Sequence, residues 1–206
     1  MQIISIRPSR HPNIVWVTFA DKKYLPLLVD EIYRLKIKKG DDLEDNQLKN
    51  IYRLSLHQSL LDYALRQVGL SPKIKSVLVP KLKLKLRLLI QKYTPPENYP
   101  ELVDEVIAKI EKLDLLNEQS YAESLIRKYS HKSLQYTKRL LSAHGLNPNN
   151  YSHLFDTSSE ASKINQLVTK FKPTKDTQSK VISKLIYRGF AYSDIKTAID
   201  EYLKSR

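Results

Sequence analysis

The 206-residue chain contains no cysteine. That removes disulfides, thiolate zinc sites and cysteine nucleophiles together, and it fits a reducing, intracellular compartment. Glycine is almost as scarce, with four in the whole chain at positions 40, 69, 145 and 189, so no glycine-rich phosphate loop is present. No apolar run reaches the length of a bilayer span, and MQIISIRPSRHPN at residues 1–13 lacks the hydrophobic core of a secretion signal. A soluble, cytoplasmic protein is expected. Among the five histidines, His131, His144 and His153 show neither the i, i+4 pairing nor the flanking carboxylates of a zinc helix. Neither a metal nor a cofactor is expected, and 206 residues can bury a core without one.

Acidic residues are missing from two long stretches, and that absence is the counterpart of what is abundant. Lys and Arg number 35 against 22 Asp and Glu, a net charge of +13, which favours polyanionic partners through attraction and counterion release. From Ser71 to Lys92 the chain holds Lys73, Lys75, Lys81, Lys83, Lys85, Arg87 and Lys92 without one acid. From Ser124 to Phe155 it holds Arg127, Lys128, Lys132, Lys138 and Arg139, again without an acid. Such runs often form only a solvated helix face, but two on neighbouring helices point to a phosphate-facing surface. Tyr93, Tyr129 and Tyr136 interleave these cations and could stack on bases or lie between helices, core packing being the ordinary role of tyrosine in such a setting.

The first forty residues read differently from the rest. Ile3, Ile4 and Ile6, then IVWVTF at 14–19, are β-branched and aromatic, and a short run at Tyr24-Leu25 follows the turn ADKK; the pattern predicts a small hairpin-based β unit. The acids Asp41, Asp42, Glu44 and Asp45 that follow Gly40 are read as helix-capping groups rather than a metal loop. From Leu43 onward the period is helical. Leu48, Ile51, Tyr52, Leu56, Leu60, Tyr63 and Ala64 recur at three- and four-residue steps up to a close at Gly69, and Ser71-Pro72 is expected to start the next helix. KLKLKLRLLIQKY at 81–93 fits two periods. Leu82, Leu84, Leu86 and Leu88 alternate as a strand would, whereas Leu78, Leu82, Leu86 and Leu89 fit a helix; leucine and lysine favour helix, with a kink or break expected at Pro80. After the proline turn at 93–97, Leu102, Val103, Val106, Ile110 and Leu113 form one stripe, and short helical units continue to the end.

Two joints match, TKRLLSAHGLNPNNYSHLF and SKLIYRGFAYSDIKTAI, with Gly145-Leu146 and Gly189-Phe190 in equivalent places about 44 residues apart. Glycine after a helix adopts the left-handed conformation cheaply, and the apolar residue behind it folds back onto the last turn. Gly69 precedes a leucine in the same manner. The recurrence predicts a mainly α protein of tandem three-helix repeats stacked into an elongated curved array behind a small N-terminal β-hairpin unit.

The run LNEQSYA at 116–122, SLQYTKRLLSAHGL at 133–146 and YRGFAYSDIKTAI at 187–199 resembles the RecX family of regulators of the RecA recombinase. Tyr121, Ala122, Gly145, Leu146, Gly189, Phe190 and Ile195, with Arg188 beside the last glycine, occupy the family's motif positions or the joints between its helices. The chain departs from the family pattern in carrying Asn117-Glu118 for the acid pair and in the expanded turn KYTPPENYPE of its first repeat. The resemblance implies a β-rich unit over 1–40 and helical repeats over 41–115, 116–157 and 158–206. It further implies a monomer that sits in the groove of a RecA filament on single- or double-stranded DNA and inhibits its recombinase and ATPase activity, within homologous recombination, DNA repair and the SOS response. The residues expected to meet DNA or filament are Lys81, Lys83, Lys85, Arg87, Arg127, Lys128, Lys132, Lys138, Arg139, Lys184 and Arg188; the motif residues themselves are read as joints and packing positions. A helix-turn-helix transcription regulator is the alternative, but the helix after Gly189 carries Asp194, Asp200 and Glu201, which would meet phosphates poorly. No catalytic constellation stands out, so no enzyme is expected; a magnesium nuclease built on Asp41 and Asp42 is the one form an enzyme reading could take.

Overall fold

The computed structural model describes residues 1–155 and 160–205; the expected boundary between residues 157 and 158 lies outside them. The chain divides into two compact units, Met1–Asn117 and Glu118–Arg206.

The first unit opens with three strands, β1 (Ile3–Pro8), β2 (Ile14–Phe19) and β3 (Tyr24–Leu28), in an antiparallel sheet of order β1-β2-β3. The sequence pattern predicts a hairpin alone; the run at Tyr24-Leu25 continues to Leu28 and adds a third strand. Pro26 is tolerated there, opposite Trp16, because β3 has a free edge that needs no further N–H donor. Alternation puts Ile3, Val17, Phe19, Leu25 and Leu27 on the buried face. After the short helix α1 (Val29–Leu35), the chain returns alongside β1, where Gly40 at φ +95° donates its N–H to the Ile3 carbonyl at 2.8 Å. The acids behave as local anchors. Asp41 accepts from the Lys38 N–H at 2.7 Å, and Glu44, the N-cap of α2, donates its own N–H to Gln47 Oε1 at 3.0 Å.

Helices α2 (Asp45–Leu70), α3 (Lys75–Tyr93) and α4 (Leu102–Lys112) complete the unit. Phe19 stacks on Tyr52 of α2 with ring centroids 6.3 Å apart, joining sheet to helices. Several local expectations are corrected. Gly69 lies inside α2 and lacks the positive φ of Gly40, Gly145 and Gly189, so it caps nothing. Ser71-Pro72 does not start α3; the chain is extended at Ser71, and the helix begins at Lys75 after Ile74, whose buried side chain sets the entry point. Pro80 does not break α3, because it removes one backbone bond while Leu78, Leu82, Leu86 and Leu89 hold both halves to the same core. Leu113 also leaves its stripe: α4 ends at Lys112 and Leu113 is exposed.

Polar contacts tie these helices together. Arg53 pairs with Glu105, Lys75 with Glu111 at 3.0 Å, and Tyr99 donates to the Lys49 carbonyl at 3.0 Å. Burial pushes the Tyr99 hydroxyl up to about 12, with Glu97 and Glu101 adding to it. Ser55 is the exception on α2, fully buried with no hydrogen-bond partner for its hydroxyl among the described residues. Ser55→Ala should therefore raise stability by about 1 kcal/mol, since it removes an unsatisfied buried group and improves helix propensity. Urea denaturation checks this, and an unchanged or lower midpoint would show the hydroxyl to be satisfied.

The second unit contains α5 (Glu118–Lys128), α6 (Leu134–Ala143), a 3₁₀ segment (Pro148–Leu154), α7 (Glu160–Phe171), α8 (Gln178–Tyr187) and α9 (Tyr192–Lys204). Its buried cluster joins Ile164, Val168, Val181, Leu185, Phe190, Ile195, Ala198 and Ile199. The two glycine corners repeat one geometry. Gly145 has φ +84° and Gly189 φ +89°; Leu146 N–H reaches the Leu141 carbonyl at 3.0 Å and Phe190 N–H the Leu185 carbonyl at 3.3 Å, the bond that closes a helix behind a left-handed glycine. Both apolar residues are buried. Tyr121 packs against His144 and hydrogen-bonds its ring, while Ala122 and Ile195 are buried.

Candidate nucleic-acid interface

The cations on α3 belong to the first unit, those from Arg127 onward to the second. At 100° per residue, Lys81 and Lys85 fall on one flank of the buried leucine stripe and Lys83 and Arg87 on the other. The alternation that suggests a strand therefore splits the four cations between two flanks. Lys81 reaches Gln67 Oε1 at 3.3 Å, and Lys85 lies 5.6 Å from the Tyr63 ring. Lys83 and Arg87 border a hollow of about 470 Å³ that ends at Pro100 and Val103. Of the other cations in that acid-free stretch, Lys75 is neutralised by Glu111 and Lys73 is buried, its pKa lowered by burial and then by Lys81. Absence of acid in the sequence is thus not absence of acid in space.

In the second unit Arg127 and Lys128 end α5, Lys132 sits in the turn before α6, Lys138 and Arg139 lie on α6, and Lys184 and Arg188 belong to the end of α8. Lys128 covers the Tyr129 ring at 5.5 Å and Lys138 the Phe155 ring at 5.9 Å. Arg139 is exposed. The fold gathers three of these residues in one place. Lys132, Lys184 and Arg188 line a cleft of about 440 Å³ together with His131, Ser183 and Tyr187. Arg127 and Lys132 border a second hollow of about 330 Å³, where Glu123 supplies an acid.

The cleft is built by a joint between α6 and α8. Ser133 N–H donates to the Arg188 carbonyl at 3.0 Å, while Ser133 Oγ caps α6 by accepting the Tyr136 N–H at 3.1 Å. Glu160 adds a second acceptor at the same helix end, taking the Leu134 N–H at 2.6 Å. Lys132 is only 8% exposed, with Nζ 4.4 Å from the Tyr187 ring centroid and 4.7 Å from that of Tyr136. Burial lowers its pKa and Arg188 lowers it further; His131 is lowered by burial, then by Arg188 and Lys132. Lys184 and Arg188 lie 5.5 and 5.2 Å from the Phe171 ring. No ion pair among the described residues involves Lys132, Lys184 or Arg188.

The aromatic residues singled out in the sequence are not the accessible ones. Tyr93 is buried beside Tyr24, and Tyr129 and Tyr136 lie against each other with centroids 5.9 Å apart. At the cleft, Tyr187 is the open ring, 79% exposed. Its one sequence signal is its place off the Val181-Leu185 stripe.

No family model matches the chain. The regulatory protein RecX of Streptococcus sanguinis (strain SK36) is 25% identical over 211 residues, covering 96% of this chain and 76% of that protein. The regulatory protein RecX of Streptococcus pneumoniae (strain Hungary19A-6) is 24% identical, over 98% of this chain and 77% of its own length. These likenesses run nearly end to end. The chain is similar to regulatory proteins RecX over nearly its whole length. A crystal structure of a regulatory protein RecX matches 97% of this chain and 98% of its own at a TM-score of 0.53 and 18% identity, which shows a shared fold. The mainly helical architecture with a small N-terminal sheet is accordingly a RecX fold, and the RecX relatives support a regulatory role. Among the described residues of this RecX-like chain, no helix is long and apolar enough to cross a membrane.

Proposed function

We propose that the chain is a cytoplasmic, monomeric regulator that binds RecA filaments on DNA, in the filament groove, and inhibits RecA's recombinase and ATPase activity. The observation that carries this reading is the nearly end-to-end likeness to regulatory proteins RecX. The cationic surfaces agree with it, since Lys83 and Arg87 on α3 and the cleft lined by Lys132, Lys184 and Arg188 on the second unit offer phosphate-facing charge. Within it, residues 1–40 serve as a β-rich extension, and 41–115, 116–157 and 158–206 as three helical repeats. Exposed Asp194, Asp200 and Glu201 on α9 weigh against sequence-specific reading of a duplex by the helix that follows Gly189.

RecA ATP hydrolysis on single-stranded DNA is expected to fall, and filaments to shorten, at a substoichiometric ratio of this protein; unchanged rate and length would overturn the reading. Charge reversal at Lys83, Lys85 and Arg87 together, or at Lys138 and Arg139, should weaken inhibition and its dependence on salt, because a phosphate that no cation neutralises keeps its counterions. Parent-like inhibition by both multiple variants would show that these faces do not meet the filament.

A further inference from the structure

We propose that the cleft between the end of α8 and the turn before α6 is a single-nucleotide site for single-stranded nucleic acid, in which Lys132, Lys184 and Arg188 hold one backbone phosphate and Tyr187 stacks on the adjoining base. Three observations converge there. The cleft, about 440 Å³, is bordered by cations and has no carboxylate among the described residues of its wall. Lys132 is more than nine-tenths buried, lies between two tyrosine rings, and among the described residues has the Tyr187 carbonyl at 3.4 Å as its acceptor. A partly buried ammonium with one long neutral contact and a second cation nearby gains from an anion.

Tyr187 supplies the other half. Its backbone carbonyl faces Lys132 while 79% of the residue is open to solvent, so a flat apolar surface stands next to the charge. A phosphate alone would use the cations and leave the ring idle. A nucleotide uses both, with stacking that tolerates any base. Lys184 and Arg188 are already poised over Phe171, which limits the freedom they give up on closing around a phosphate. RNA or DNA in duplex form keeps its bases stacked on each other, so a strand with unpaired bases is the form that fits.

The inference deepens the proposed function by naming one DNA contact, yet its test needs no RecA, so either can fail alone. Binding of the full chain to a fluorescein-labelled oligo-dT of about 20 nucleotides is followed by anisotropy across a salt series. Tyr187→Leu should weaken binding about tenfold with Tyr187→Phe near the parent, because the ring and not the hydroxyl does the stacking. Lys184→Gln should lower the salt slope by about 0.7, the share of one contact on a single strand. Lys184 and Tyr187 are both exposed, so neither variant disturbs the core. Parent-like affinity in Tyr187→Leu, or an equal loss in Arg139→Gln with none in Tyr187→Leu, would mean diffuse attraction and overturn the site. Full competition by free thymidine monophosphate at the oligonucleotide's own concentration would overturn the assignment to a strand.

Discussion

Gly189→Ala is expected to destabilise the second unit by about 2–4 kcal/mol, summing a left-handed backbone penalty and an overpacked contact. The residue has φ +89°, and a Cβ there would lie 2.6 Å from Ser133 Oγ and 2.9 Å from Tyr136 Cβ. Neither neighbour can retreat cheaply. Ser133 caps α6 and also donates its N–H to the Arg188 carbonyl, and Tyr136 sits on the first turn of the same helix. Gly40 provides the comparison: its φ is +95° but nothing lies within 4 Å of an added Cβ, so Gly40→Ala should cost only about 1 kcal/mol. Adding Ser133→Gly to Gly189→Ala should recover part of the loss, because glycine is itself an acceptable N-cap and removes the closer of the two contacts. Urea or thermal melts monitored on the second unit check this; equal costs at Gly40 and Gly189 would show that the corner is not clenched against α6. Loss of this joint should also open the cleft around Lys132.

Leu82→Ala should cost about 3–5 kcal/mol, and Leu84→Ala two residues later under about 0.5 kcal/mol. Leu82 is fully buried and Leu84 is 56% exposed. On a strand buried on one face, residues two apart would share that face and cost alike. The helix turns Leu84 away from the face that holds Leu82, so the contrast between the two variants measures which period governs residues 81–89. Comparable losses at both positions would refute the helical phase.

Much of the second unit is legible in the sequence because its signals are local. Gly145-Leu146 and Gly189-Phe190 declare their corners in a handful of residues, and the observed hydrogen bonds from Leu146 and Phe190 back to the preceding helix follow from the same rule. Gly69 shows the limit of that rule. It too precedes a leucine, but α2 carries on through it to Leu70 and the chain leaves extended at Ser71. Ile74, buried in the first unit, fixes where α3 enters, a demand that no capping preference at Ser71-Pro72 could override. Pro80 leaves α3 unbroken for a related reason: leucines of both halves share one core.

The candidate interface is legible as charge and illegible as geometry. Two acid-free stretches stand out in the sequence, yet Lys75 meets Glu111 from another helix, and Lys81 and Lys85 are separated from Lys83 and Arg87 by the helical turn. Conversely, Lys132 and Lys184 lie far apart along the chain and share a cleft. Tyr187 is inconspicuous in the sequence beside Tyr93, Tyr129 and Tyr136, because exposure depends on what the neighbouring helices cover.

The sequence by itself determined the β-rich start and the helical remainder, the left-handed corners at Gly145 and Gly189, and the helical set of leucines in α3, since each follows from the backbone preferences and periodicity of adjacent residues. The tertiary structure alone decided which cations are paired, which are exposed, and which meet in one place. Gly189 shows the division within a single residue. Its need for positive φ is local, but its intolerance of a methyl group comes from Ser133 and Tyr136, distant in the chain and brought against it only when α6 and α8 pack. Charge and packing act through space, and only the folded chain sets those distances.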